Sequence, residues 1–120
     1  MVQFLVVEDD DDIRAIIINA IESSGYDKVL EAENGEEGLK LFEEHSPNFV
    51  ITDIVMPRLD GIGLIKQVRA LNEKVPIIVI SAFPEKGNDA LALGADVFID
   101  MPFRHNDLVE KIQNLVKEVG

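Results

Sequence analysis

The 120-residue chain has no cysteine, no tryptophan and one tyrosine. Without thiols it forms no disulfides and does no thiolate chemistry, which suits a reducing cytoplasm. Basic residues are scarce too: 11 Lys and Arg stand against 23 Asp and Glu, for a formal net charge of −12. That balance argues against direct binding to nucleic acid, which requires a basic footprint to engage phosphates. No long apolar run is present either. Residues 1–7 are short, uncharged at their start and run straight into acids, so neither a signal peptide nor a membrane span is expected. Repeats, low-complexity segments and linkers are also lacking. A chain of this length, 47% hydrophobic, suits one domain around one core, and residues 1–120 are expected to form a single unit.

Short apolar runs alternate with helical stripes. Residues 4–7 read as a buried strand, and Ile13, Ile16, Ile17, Ala20 and Ile21 then recur at the helical interval up to Gly25. Residues 28–32 make a second strand. Asn34 and Glu37 form a capping pair that opens a helix carrying Leu39, Leu41 and Phe42. Residues 49–52 form the third strand, followed by a helix with Leu64, Ile65, Val68 and Leu71 on one face. Residues 76–81 are the least ambiguous strand. A short helix over residues 89–93, stopped by Gly94, leads to a fifth strand at 97–99. The last helix presents Leu108, Ile112, Leu115, Val116 and Val119.

Strands that are apolar throughout and alternate with helices predict a doubly wound α/β fold, a parallel sheet covered on both faces. In such sheets ligands sit outside the carboxyl ends of the strands, where the strand order reverses. Glu8-Asp9, Asp53 and Ser81 all stand at carboxyl ends. They converge if the first, third and fourth strands are neighbours, as in the flavodoxin-like order.

Asp53 is carried by a buried strand onto the turn Pro57-Arg58-Leu59-Asp60-Gly61, which fixes its backbone and leaves its oxygens at the sheet edge. Alone, an Asp there is more often a turn former. A second acidic pair in the same crevice changes the balance, because clustered carboxylates repel unless water screens them or a cation neutralises them. Oxygen-only donors with no His or Cys nearby select a hard cation, Mg²⁺ first. Asp10, Asp11 and Asp12 precede a helix and suit capping and the helix dipole. Ser81, followed by small Ala82, suits either a turn or a hydroxyl aimed at a phosphoryl oxygen. His45 and His105 are expected on the surface.

Leu5-Val6-Val7-Glu8-Asp9, Asp53-Ile54-Val55-Met56-Pro57 with Asp60-Gly61, Ile80-Ser81-Ala82, Gly94-Ala95 and Pro102-Phe103 together resemble a response-regulator receiver domain of the CheY-like kind. The resemblance covers essentially the whole chain. It implies a (βα)5 flavodoxin-like fold, sheet order 2-1-3-4-5, and a cytoplasmic phosphoprotein of two-component signalling. It further implies that Asp53 is the phosphoacceptor. Mg²⁺ would be held by Asp9, Asp53 and the Val55 backbone carbonyl, with Glu8 binding through water. Ser81 would sense the phosphoryl group, and Phe98 would be the switch aromatic. The implied partners are a histidine kinase or phosphotransfer protein, and a target protein that binds a face made by the fourth helix, fifth strand and fifth helix. Nucleic acid and membrane are not among them. Such a domain is not an enzyme beyond its own phosphorylation and slow dephosphorylation. The resemblance also implies a cis Met101–Pro102 bond.

One position departs: the family usually has Lys before Pro-Phe, and here it is Met101. Methionine carries no charge. With Glu8, Asp9 and Asp53 ionised, Mg²⁺ brings the site to −1, and the absent Lys would have made it neutral. Arg58, Lys86 and Arg104 lie on candidate loops near the crevice as possible substitutes. Met101 also supports a second reading, a phosphorylation-independent docking module on the same fold. A phosphatase of the haloacid-dehalogenase type is disfavoured, because its second Asp would fall at Val55.

Overall fold

The computed structural model describes residues 2–119. Its elements are β1 (Gln3–Val7), α1 (Asp11–Ser23), β2 (Lys28–Ala32), α2 (Gly35–His45), β3 (Phe49–Asp53), α3 (Gly61–Leu71), β4 (Ile77–Ser81), α4 (Pro84–Ala92), β5 (Val97–Asp100) and α5 (His105–Val119). The sheet is parallel throughout, in the order β2-β1-β3-β4-β5. The chain therefore reverses direction across the sheet beside β1, and the carboxyl ends of β1 and β3 flank that point.

Alternation along β1 builds the two faces, since successive side chains on a strand point to opposite sides. Leu5 and Val7 pack with Phe42 of α2, Leu64, Ile65 and Val68 of α3, and Ala90 of α4. Phe4 and Val6 pack with Ile17, Ala20 and Ile21 of α1, and with Leu108, Ile112 and Leu115 of α5. Each such buried Leu or Ile contributes on the order of 1.5–3 kcal/mol. Both faces are covered, which is why the strands read as continuous apolar runs.

Helix starts follow local chemistry. Asp10 caps α1 by accepting from the backbone N–H groups of Asp12 (2.9 Å) and Ile13 (3.0 Å), and Asp11 and Asp12 fill its first turn. Asn34 accepts from Glu37 N–H at 2.8 Å, the Asn34 half of the capping pair read from the sequence.

Two expectations shift. α4 begins at Pro84, five residues before the predicted helix, because Pro supplies its first turn with no side-chain cap at Phe83, and Gly87 interrupts the apolar signal. Ile16 and Leu71, read as core-facing, are 48% and 56% exposed. Ile16 lies at the rim of the α1 stripe, and Leu71 is the last residue of α3. The side chain of Val119 lies outside the described residues.

Arg69 of α3 ties the far end of the molecule together. Its guanidinium donates to the carbonyls of Val75 (2.7 Å), Gly94 (2.7 Å) and Asn72 (3.2 Å) and to Asp96 (3.2 Å), while Asp96 also accepts from Ile77 N–H at 2.8 Å. Removing the donors strands several carbonyls, each costing about 1–3 kcal/mol where water cannot replace the bond. Arg69→Met is expected to lower the unfolding free energy by about 2–4 kcal/mol in urea titrations. A loss below about 1 kcal/mol would show that water replaces these bonds.

Candidate functional site

β1 and β3 are paired in register from Phe4↔Phe49 to Val7↔Thr52, so the residues that follow them emerge side by side. Glu8, Asp9 and Asp53 each place a carboxylate oxygen within 4.8 Å of the others. Glu8 is fully buried, Asp53 half-buried and Asp9 exposed. Burial does most to push the Glu8 carboxyl up, to about 8, helped by Asp9 and by the negative charge of Asp53. Burial also raises Asp53, opposed by hydrogen bonds from Ile54, Glu8 and Val55. The Ile54 N–H donates to Asp53 Oδ1 at 2.7 Å.

Gly61, at the start of α3, fixes the turn after Asp53. Its N–H donates to the Ile54 carbonyl at 2.8 Å. A Cβ there would come within 2.3 Å of the Asp53 carbonyl oxygen, so only glycine allows the helix to approach this closely.

Ser81 ends β4 one strand from Asp53 and is fully buried. Its Oγ accepts from Phe83 N–H at 3.0 Å, folded into the β4–α4 connection. Phe98 on β5 lies against α4, where a Cβ on Gly87 would come 2.3 Å from its Cζ.

Residues 4–113 match the family described as response regulator receiver domain. The chain belongs to this family. It is 36% identical over 119 residues to "Probable transcriptional regulator ycf27" of Porphyridium aerugineum, covering 98% of this chain and 49% of that protein. It is 34% identical to "Chemotaxis protein CheY" of Listeria monocytogenes, covering 98% of this chain and all of that one. The receiver thus spans about half the length of the ycf27 relatives. Among solved structures it is similar to the N-terminal domain of an uncharacterized protein (WS1339) from Wolinella succinogenes, with TM-score 0.86, 35% identity and coverage of 98% and 95%. The receiver domain of NtrX from Brucella abortus superposes with TM-score 0.89 at 26% identity, covering 96% and 98%.

The receiver's acidic cluster fits a hard divalent cation on its own chemistry. Its donors are all oxygens, and once Glu8 is ionised no group donates to its buried Oε1, a costly arrangement unless a cation or its bound water approaches.

Among the described residues no basic side chain forms an ion pair with the three acids. Arg58 reaches toward Glu36 at 3.9 Å, Lys86 lies 5.6 Å from the Phe83 ring centroid, and Arg104 is exposed. His45 and His105 are exposed, as expected. Met101 is anchored by its N–H to the Ser81 carbonyl at 2.9 Å. Its side chain joins the apolar cluster on the α1–α5 side of the sheet, and the Met101–Pro102 bond is cis.

Sequence reading did not single out Arg14. Its guanidinium donates to the Glu8 carbonyl at 2.8 Å and is held by Asp11 and Glu31, which hold the guanidinium charged against its burial. The i,i+3 spacing from Asp11 was the available signal. Arg14 is a positioning residue for the loop that carries Glu8 and Asp9. No helix among the described residues is long and apolar enough to cross a membrane.

Proposed function

We propose that this receiver accepts a phosphoryl group on Asp53 from a phosphohistidine donor, a histidine kinase or a phosphotransfer protein, and that the transfer depends on Mg²⁺. The observation that carries the reading is the convergence of Glu8, Asp9 and Asp53 at the strand-order reversal, with one buried carboxylate oxygen left unpartnered. Asp9, Asp53 and the Val55 carbonyl would hold the ion, and Glu8 would bind through water. The ion would screen the incoming phosphoryl oxygens from the carboxylates. Of the chain's own groups, Asp53 supplies the attacking oxygen, the Ile54 N–H orients its carboxylate, and Gly61 fixes the turn beneath it. Ser81 would leave its contact with Phe83 N–H and turn its hydroxyl to the phosphoryl group.

The output in this reading is a change in protein binding at the face made by α4, β5 and α5. α4 is weakly held, since only Gly87 and Ala90 are buried, and elements that bury little apolar surface open most easily. Phe98 couples it to β5 through the ring seated on Gly87. Phe98, Pro102, Phe103, Asp107, Glu110 and Lys111 border a cleft of about 440 Å³ on that face, and Phe83 and Leu91 of α4 are exposed. Residues 1–120 act as a single receiver domain in the cytoplasm, as a phosphoacceptor switch with no turnover of outside substrates.

Borohydride reduction tests the assignment, because it converts an acyl phosphate to an alcohol. After treatment with acetyl phosphate and Mg²⁺, peptide mapping is expected to find the reduced residue at position 53. Reduction at another acid would remove Asp53 from its role.

The docking-module reading draws on Met101, whose side chain sits among apolar neighbours. Against it stands Glu8: a scaffold that only docks has no use for an ionisable group buried with a bare oxygen. The docking reading accounts for Met101 and the switch for Glu8, and the convergence of Glu8, Asp9 and Asp53 supports the switch.

A further inference from the structure

Ladder pairing of β1 ends at Val7 on both sides, with Val7↔Ala32 and Val7↔Thr52. The Glu8–Asp9 peptide then leaves the sheet, and two bonds hold its entrance. Glu8 N–H donates to the Ala32 carbonyl at 3.0 Å, and the Glu8 carbonyl accepts from Arg14 Nη1 at 2.8 Å. Because a peptide unit is planar, a carbonyl held in this way orients the whole unit, and with it the course on which the chain enters Asp9.

Arg14 is itself held from two further elements. Its Nη2 pairs with Asp11 in the first turn of α1, and its Nε donates to Glu31 on β2 at 3.2 Å. The Arg14 side chain is only 12% exposed, whereas those of Asp11 and Glu31 are 80% and 56% exposed. Ion pairs with such exposed acids stabilise little, and covering a guanidinium costs solvation. Stability is therefore a weak reason for the arrangement. Holding three oxygens in three directions suits a rigid planar fork, and a lysine ammonium on a flexible stem does not replace it.

The charge of Arg14 makes its role readable by sign. The guanidinium is bonded to the backbone of Glu8, one of the three clustered acids. If its charge alone mattered, it would repel a cation at the cluster, and its removal would tighten binding. If its hold on the Glu8 carbonyl matters more, removal weakens binding.

We propose that Arg14 is a positioning residue for the divalent cation. Anchored by Asp11 and Glu31, it holds the Glu8–Asp9 peptide in the course that brings both carboxylates to Asp53, and this outweighs its own repulsion of the ion. Groups that hold metal ligands from behind commonly carry tenfold to hundredfold of affinity. The inference rests on the Mg²⁺ site of the function proposed above, and needs no phosphoryl transfer.

Isothermal titration calorimetry of Mg²⁺, at fixed pH and ionic strength, tests it on the parent, Arg14→Met and Arg14→Lys. Arg14→Met is expected to bind about tenfold more weakly although it removes a positive charge. Arg14→Lys is expected to bind more weakly than the parent although it keeps that charge. In metal-free ¹H–¹⁵N spectra the amide of Asp9, part of the peptide that Arg14 holds, should move in both variants.

Equal or tighter binding by Arg14→Met, parent-like binding by Arg14→Lys, or an unmoved Asp9 amide would each overturn the proposal. If Arg14→Met does not fold, Arg14→Lys decides alone. No Mg²⁺ binding by the parent would overturn this inference together with the ion in the proposed function, whereas equal binding by parent and variants overturns this inference only.

Discussion

Replacing Met101 with Lys is expected to speed phosphorylation of Asp53 by small phosphodonors roughly tenfold to a hundredfold. A hydrogen bond to a charged group contributes on the order of 1.5–3 kcal/mol, which corresponds to that range of rate. The substitution returns a cation to a site in which no ion pair reaches the three carboxylates among the described residues. The backbone at 101 is already held by the Ser81 carbonyl at 2.9 Å, so the new side chain starts from a fixed point next to the site. The half-buried surroundings cost it little, because the stem can lie where the methionine lay. Stopped-flow or mass-resolved labelling at several Mg²⁺ concentrations measures the effect. An unchanged rate would mean that the ion alone neutralises the transfer.

The second large effect is on metal affinity as a function of pH. The Glu8 carboxyl, buried beside two other acids, is pushed up to about 8, so below that pH the metal-free protein holds it protonated. A cation site needs the carboxylate. Apparent Mg²⁺ affinity is therefore expected to climb as pH rises toward 8, by up to about tenfold per unit, and to level off above it. Binding below pH 8 should release a proton.

Stability without metal runs the other way. A carboxyl whose pKa is higher folded than unfolded favours the folded state while protonated. Its contribution is complete below the ordinary value of 4.5 and is lost as pH rises through about 8, at no more than about 1.4 kcal/mol per unit. Glu8→Gln should flatten both dependences. Calorimetric titration of Mg²⁺ and urea unfolding in chelator, each from pH 5 to 9, check them; an affinity independent of pH would contradict the burial of Glu8.

Much of this was legible in the sequence because the residues that carry the fold have strong one-dimensional signals. β4 is buried at every position and apolar from Ile77 to Ile80, as a parallel strand covered on both faces has to be. The acids at 8, 9 and 53 declared themselves by following apolar strands. α4 was legible only in part, since Gly87 and Pro84 suppress its periodicity, and the reason for Gly87 is a ring from β5 that no local pattern reveals. Ile16 and Leu71 obey the helical interval yet face water, because periodicity gives a direction and not the edge of the covering layer. Arg14 and Arg69 act on backbone carbonyls, Arg69 on that of Gly94, 25 residues away; sequence spacing carries little trace of such bonds.

The most direct test of the central claim is the intact mass of the protein after incubation with acetyl phosphate, with Mg²⁺ or with chelator, on the parent and on Asp53→Asn. The account predicts one phosphoryl adduct on the parent with Mg²⁺, and none in chelator or on Asp53→Asn. An equal adduct on folded Asp53→Asn, or none on the parent under any condition, would contradict it.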